Sequence, residues 1–495
     1  MIPRTLAEIA EAVGGRLHRT DGTATVTGSV EFDSRKVTEG GLFVAMPGER
    51  VDGHDFAAAA VAAGAVGVLA AHEVDAPAVI VPPVSEAHRR SVALAGDTDG
   101  SGAAVLAGLA ALARNVVDEL TAGGLTVVGV TGSSGKTSTK DLIAQVLEPM
   151  GPTVAPPGSF NNELGHPWTV LRADAATRHL VLELSARGPG HIAALCRTAP
   201  PRIGVVLNVG SAHLGEFGSR EEIARTKGEL VEALPPAERG GVAVLNADDA
   251  LVAAMAARTS ARVVRVGQDP SAGVRAVDVR LDEQARASFR LVTPAGEADV
   301  TLSVHGEHMV GNALSAAAVA LELGATVDQA AEWLSSARRR SARRMEVTTR
   351  PDGVTVVNDA YNANPESVRA ALKSLATMAR SAEQPRRSWA VLGVMGELGE
   401  ASAAAHDEIG RLAVRLDINR LVVVGEQAAA MHQGACLEGS WGEESVLVPD
   451  VDAAISLLRE ELRAGDVVLV KASKVAELWR VAEALLAAAR DGGPA

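Results

Sequence analysis

Leu125-Thr126-Val127-Val128-Gly129-Val130 is an apolar, β-branched run that passes almost at once into the turn Gly132-Ser133-Ser134-Gly135-Lys136-Thr137. Beyond the turn, Leu142, Ile143, Val146 and Leu147 recur on one face of a helical repeat. A strand this apolar must be covered on both faces, and a tight turn that delivers it into a helix supplies one cover, so the chain is confined to layered α/β folds. The pattern continues through His179 to Leu184, Ile203 to Val209 and Val242 to Leu245, which read as buried strands of a mostly parallel sheet. A helical stretch from Gly311 to Leu323 leads to the basic run Arg338 to Arg344. New strands follow at Val354 to Val357, Trp389 to Val394, Leu421 to Val424 and Val467 to Val470, and they alternate with helices as in a doubly wound, Rossmann-like domain.

A chain of 495 residues is too long for one core and should form about three domains. The expected division is 1–102, 103–336 and 337–495, all α/β. The polar stretch Gly96 to Gly102 has the composition of a linker, and disorder is expected only at the tail, Asp491 to Ala495. A net charge of -14 argues against a nucleic-acid surface. Cys196 and Cys436 cannot build a disulfide framework and are expected to be buried small hydrophobes in a reducing compartment. Charges interrupt the N-terminal segment, which excludes a secretion signal. Phe56 to Ala71 reads as a buried helix followed by a strand rather than a membrane span. A cytoplasmic monomer without membrane insertion is the expectation.

In the Gly132 to Thr137 turn, the glycines let backbone N–H groups point inward, Lys136 supplies a point charge and Thr137 a hydroxyl at a helix N-terminus. That set suits a nucleotide triphosphate with Mg²⁺. The generic P-loop spacing would place another glycine where Val130 stands, so this is a shorter form, and an ordinary strand-to-helix turn remains the alternative. Glu183, at a strand end, offers oxygen to a hard cation. His213 follows another strand. By themselves, Glu183 also reads as a surface residue and His213 as a structural one.

The order of these segments resembles the Mur ligases of peptidoglycan synthesis along nearly the whole chain. The phosphate loop is their short form, Asn161-Asn162-Glu163-Leu164-Gly165-His166-Pro167 is similar to their substrate-proximal segment, and Asn208 to Leu214 with Thr226-Lys227-Gly228-Glu229 resembles the stretch holding their metal-binding histidine and modified lysine. The resemblance implies an ATP site from Gly132, Ser133, Ser134, Gly135, Lys136, Thr137, Asn312, Arg344, Asp359, Tyr361 and Asn362. It implies Mg²⁺ held by Thr137, Glu183, His213 and Lys227, the last as a CO₂-derived carbamate. Lys136, Lys227, His213 and Arg344 are the implied catalytic groups. His305 to His308 with Asn312 resembles the segment that reaches adenine.

The N-terminal motifs Phe32 to Arg35, Gly41 to Gly48 and Asp52 to Phe56 look like the family's UDP-sugar domain, which implies substrate contacts from Ser34, Arg35, Asp52, Gly53 and His54. Asn161, Asn162, Ser185, Asn364 and His406 complete the implied substrate set. Asn358-Asp359-Ala360-Tyr361-Asn362-Ala363-Asn364-Pro365 and Val391 to Gly399 resemble the family branch that joins D-Ala-D-Ala to a UDP-MurNAc-tripeptide through an acyl phosphate. Val394 and Lys471 to Val475 depart from that branch's usual residues. His406 is a candidate base, with packing or acceptor contact as the alternatives. Three other functions stay open: a branch adding a single amino acid, a P-loop NTPase or kinase with another acceptor, and a silent nucleotide-binding scaffold. Closure of the third domain onto the second is expected when ATP binds.

Overall fold

The computed structural model describes residues 1–48, 51–84, 97, 99–211, 214–380, 385–439 and 444–487. His213, two residues of the Gly96 to Gly102 linker and the tail Asp491 to Ala495 lie outside them. Three larger sheets, of five, nine and six strands, follow one another along the chain.

The first sheet runs in the order Arg16–His18, Ala78–Ile80, Ala65–Ala70, Gly41–Val44 and Val30–Glu31, parallel except for its Arg16–His18 edge. Thr5 starts the helix Leu6–Val13 with a capping box to Glu8, and Leu6, Ile9, Ala10 and Val13 turn inward. The long helix Ser101–Ala122 fills the space between this sheet and the next. Its Val105, Leu109, Leu112 and Val116 belong to one core that also holds Leu6 and Leu69 on one side and Leu182 and Leu230 on the other. The two sheets therefore share a hydrophobic interior. A second tie is polar: the Trp168 indole donates to the Val30 carbonyl at 2.9 Å, while its ring packs on Phe160 and Phe32.

In the nine-stranded sheet, Thr126–Thr131 lies between His179–Glu183 and Ile203–Val206, and all six of its residues are buried. Parallel pairing extends through Val242–Asn246, Arg262–Gly267 and Val274–Leu281. The sheet then turns antiparallel with Arg286–Thr293 and Gly296–His305, an extension absent from the sequence expectation. Those strands alternate buried and half-exposed residues, as antiparallel strands with one wet face do, and carry no continuous apolar run.

The third sheet orders as Glu346–Thr349, Thr355–Asn358, Val467–Lys471, Ser388–Leu392, Arg420–Val424 and Ser445–Val448, parallel apart from the first strand. Helices Pro365–Arg380, Ser402–Arg415 and Ala429–Glu438 cover one face through Leu372, Leu375, Ile409 and Met431. Val451–Glu461 and Trp479–Ala487 cover the other through Leu458, Val481 and Leu485. This is the doubly wound arrangement expected, and it brings Asp359 and Lys471 to the carboxyl ends of neighbouring strands, where such sheets bind ligands. Cys196 is buried, with its thiol pushed up to about 12 by desolvation. Cys436 corrects the expectation: it is exposed, because its helix turns Met431, Gly434 and Ala435 inward instead.

Candidate active site

Strand Thr126–Thr131 delivers the glycine turn to the N-terminus of helix Lys136–Leu147, with Gly135 at φ +82°. A Cβ on Gly132 would stand 2.9 Å from the Leu207 Cβ, and one on Gly135 would stand 2.9 Å from the Asn312 side-chain oxygen. The first glycine lets the turn lie against the neighbouring strand, and the second lets Asn312 lie against the turn. Lys136 Nζ folds back to the Gly132 carbonyl at 2.7 Å. The end of the next strand is sewn to the same turn. Ser134 N–H donates to Asn208 Oδ1 at 2.9 Å, and Gly210 N–H donates to Ser133 Oγ at 2.9 Å.

Glu183 is fully buried at its strand end and is satisfied on both oxygens. Thr137 donates to one at 2.9 Å; Ser159 at 2.9 Å and Asn161 at 2.7 Å donate to the other. Ser185 N–H in turn donates to the Asn161 carbonyl, and Asn162 Oδ1 accepts from the N–H of Gly165, the first residue of helix Gly165–Val170. Lys227 is buried on the helix Arg220–Glu232. Desolvation, reinforced by the like charge of Lys136, holds its amine well below the usual lysine range. Burial lowers Lys136 too, against an opposing pull from Glu183.

The third domain reaches into this site. Arg344 donates to Thr137 Oγ1 at 3.1 Å, and its guanidinium lies 4.2 Å over the ring of Tyr361. Asp359 accepts from Met345 N–H at 3.0 Å and from Lys471 Nζ at 2.6 Å, and Lys471 also holds the Asn362 carbonyl at 2.9 Å. Asn364 accepts from Ser367 N–H at the start of helix Pro365–Arg380. Two cavities meet at the glycine turn. One of about 880 Å³ is lined by His305, His308, Asn312, Arg344 and Asp359. The other, of about 450 Å³, is lined by Lys136, Glu183, Asn161, Ser185 and Tyr361. The larger space and a second, more polar one thus share the glycine turn.

Three family descriptions match in chain order: the Mur ligase family catalytic domain over 27–112, the Mur ligase middle domain over 130–320 and the Mur ligase glutamate ligase domain over 343–474. The UDP-N-acetylmuramoyl-tripeptide–D-alanyl-D-alanine ligase of Mycobacterium tuberculosis is 60% identical, with 98% of each chain covered. The chain belongs to the Mur ligase family. Among solved structures, MurF from Acinetobacter baumannii superposes with a TM-score of 0.83 at 29% identity, covering 98% of this chain and 99% of that one. MurF ligase from Thermotoga maritima in complex with ADP gives 0.76 at 30% identity, covering 94% and 99%.

Not every residue singled out from the sequence of this Mur ligase gathers at the glycine turn. Ser34, Arg35, Asp52, Gly53 and His54 line neither of the two cavities. Arg35 is exposed and forks onto Asp33, holding that carboxyl down to about 2. His54 is buried: Ala71 N–H donates to its Nε2 at 3.0 Å, so its Nδ1–H donates to Asp52 at 2.7 Å, and its ring stacks on His72. Gly53 N–H donates to the Met46 carbonyl, leaving no room for a Cβ. His406 is likewise committed on both nitrogens. It accepts from Met395 N–H at 2.9 Å and donates to the Ser402 carbonyl at 2.7 Å, which favours the packing alternative over the base.

Sequence reasoning gave no role to Asn208, Ser159, Lys471 or Glu366. Asn208 and Lys471 stood inside quoted motifs, and the signal was their position at the ends of buried strands. Ser159 and Glu366 carried none, since each is defined by a partner remote in the chain.

Proposed function

We infer that this Mur ligase joins D-alanyl-D-alanine to the carboxylate of UDP-N-acetylmuramoyl-tripeptide at the expense of ATP, giving the UDP-MurNAc-pentapeptide of peptidoglycan synthesis. The observation that carries the reading is the 60% identity, over 98% of both chains, to a mycobacterial ligase of that name. Residues 1–102 take the UDP-MurNAc end, 103–336 bind ATP, and 337–495 bring the acceptor and close the site. It acts as a cytoplasmic monomer on small molecules. No described helix is long and apolar enough to cross a membrane.

A peptide carboxylate is a poor electrophile, so the γ-phosphoryl of ATP is passed to it and the dipeptide amine then displaces phosphate from the acyl phosphate. The N-terminus of helix Lys136–Leu147 and the Lys136 amine cradle the phosphates. Arg344, fixed against Tyr361, meets charge on the migrating group from the third-domain side. The adenosine lies along His305, His308 and Asn312, while Asn161, Asn162, Ser185 and Asn364 line the substrate side. Asp359 holds Lys471, whose amine in turn donates to the Asn362 carbonyl and keeps that chain in register.

The donor set suits a hard divalent cation: the Thr137 hydroxyl and the Glu183 carboxylate present oxygen within 2.9 Å of each other at a helix N-terminus. Thr137, Glu183, His213 and carbamylated Lys227 would hold Mg²⁺, which supplies positive charge against the repulsion between two anions. Carbamylation requires a neutral amine, the form that burial of Lys227 favours. The deciding experiment measures ADP release with UDP-MurNAc-tripeptide against D-Ala-D-Ala and a panel of free amino acids. Release with the dipeptide is expected; release with a free diamino acid and not the dipeptide overturns the assignment.

A further inference from the structure

Glu366 occupies the first turn of helix Pro365–Arg380, and its carboxylate crosses from the third domain to the central one. It accepts from Ser211 N–H at 2.8 Å and from Ser211 Oγ at 2.9 and 3.2 Å. A Cβ on the adjacent Gly210 would lie 2.6 Å from the Glu366 carboxyl carbon, so glycine at 210 is what permits the approach. The carboxylate is held from behind, because Pro365 and the reciprocal Asn364–Ser367 hydrogen bonds fix the helix start. An anion in the first turn is also favoured by the helix dipole.

The other end of the contact is equally fixed. Asn208 and Gly210 are hydrogen-bonded to Ser134 and Ser133 of the glycine turn, Val209 N–H donates to Asp249 at 2.8 Å, and Arg220 holds the Val209 carbonyl at 2.7 Å. Residues 208–211 thus join the phosphate turn on one side to Glu366 on the other, and His213 follows two residues later in the chain. We propose that Glu366 is a positioning residue: its bond to Ser211 couples docking of the third domain to the geometry of the phosphate turn and of the segment leading to His213. Arg344 carries charge to the reacting group, whereas Glu366 touches no reacting atom and acts through the Ser211 segment. The inference rests on the ligase reading, in which the third domain closes on ATP.

The test uses the full chain with Glu366→Ala, Glu366→Gln, Ser211→Ala and the double alanine variant. One readout is steady-state kinetics, and the other is compaction in small-angle scattering when a non-hydrolysable ATP analogue is added. Loss of a hydrogen-bonded carboxylate predicts a kcat lower by about tenfold to a hundredfold in Glu366→Ala, with the KM for UDP-MurNAc-tripeptide unchanged and compaction diminished. Glu366→Gln keeps an acceptor oxygen and recovers the larger part. Ser211→Ala loses less, and the double variant is no worse than Glu366→Ala, since both changes cut one link. Unchanged kcat and compaction in Glu366→Ala overturn the proposal, as do multiplying losses in the double variant or a raised KM that glutamine does not rescue. A wild-type chain without dipeptide-dependent ADP release would defeat the functional reading alone, because compaction reports the link without turnover.

Discussion

The proposed mechanism puts much of the chemistry on one nitrogen, that of Lys227. A charged ammonium in that buried position beside Lys136 would repel the cation it is assigned to help hold, and the neutral amine is the form that takes up CO₂. Lys227→Ala should therefore lower kcat by on the order of a hundredfold or more, and short carboxylates soaked into the variant should restore part of the rate. Absence of rescue would argue for a plain packing lysine. His166 offers a separate test through stability. It is fully buried, and desolvation lowers its pKa from 6.5 to about 4. Its neutral form is thus favoured by the fold, so its contribution is complete above pH 6.5 and is lost as the pH falls through about 4. That amounts to about 3 kcal/mol over the window. Urea unfolding of His166→Gln at pH 7 and pH 4.5 should show a smaller pH dependence than wild type; an equal dependence would assign the effect elsewhere.

The glycine turn and its helix form the most tightly specified element. Gly135→Ala meets both a positive φ, which costs about 1–2 kcal/mol, and the Asn312 amide. Calorimetric titration with ADP should show weaker binding in this variant, whereas Ile143→Ala, on the buried face of the same helix and away from both cavities, should cost about 2–5 kcal/mol of stability with ADP affinity retained in the folded fraction. This turn was legible in the sequence because strand, turn and helix lie within some twenty consecutive residues and each states its own geometry. The parallel strands were legible for a related reason, since burial on both faces writes a continuous apolar run. The Val274–Leu281, Arg286–Thr293 and Gly296–His305 meander has a wet face and no such run, and exposed Cys436 follows from the rotation of one helix, which composition does not encode. Contacts such as Thr137 with Arg344 and Ser211 with Glu366 join residues more than 150 positions apart. Only resemblance put Arg344 near the phosphates, and Glu366 had no motif to mark it.

At the scale of the molecule, the site exists because three sheets are held in register by a few joints. Trp168 is the joint between the first two. Trp168→Phe leaves the Val30 carbonyl without its donor, at a cost of about 1–3 kcal/mol, and should raise the KM for UDP-MurNAc-tripeptide while leaving the KM for ATP near its wild-type value. A rise in both would mean that the change spreads into the central sheet. The seam helix Ser101–Ala122 has a different consequence. Because it merges the interiors of the first and second sheets, neither can lose its packing while the other keeps it. The third sheet has two cores of its own that, apart from Ala285, take no residue before Met345. Scanning calorimetry should accordingly resolve two heat-absorption peaks from three domains, the larger belonging to the fused pair, with the nucleotide drawing the two peaks together because the proposed site grips it from both sides of the divide.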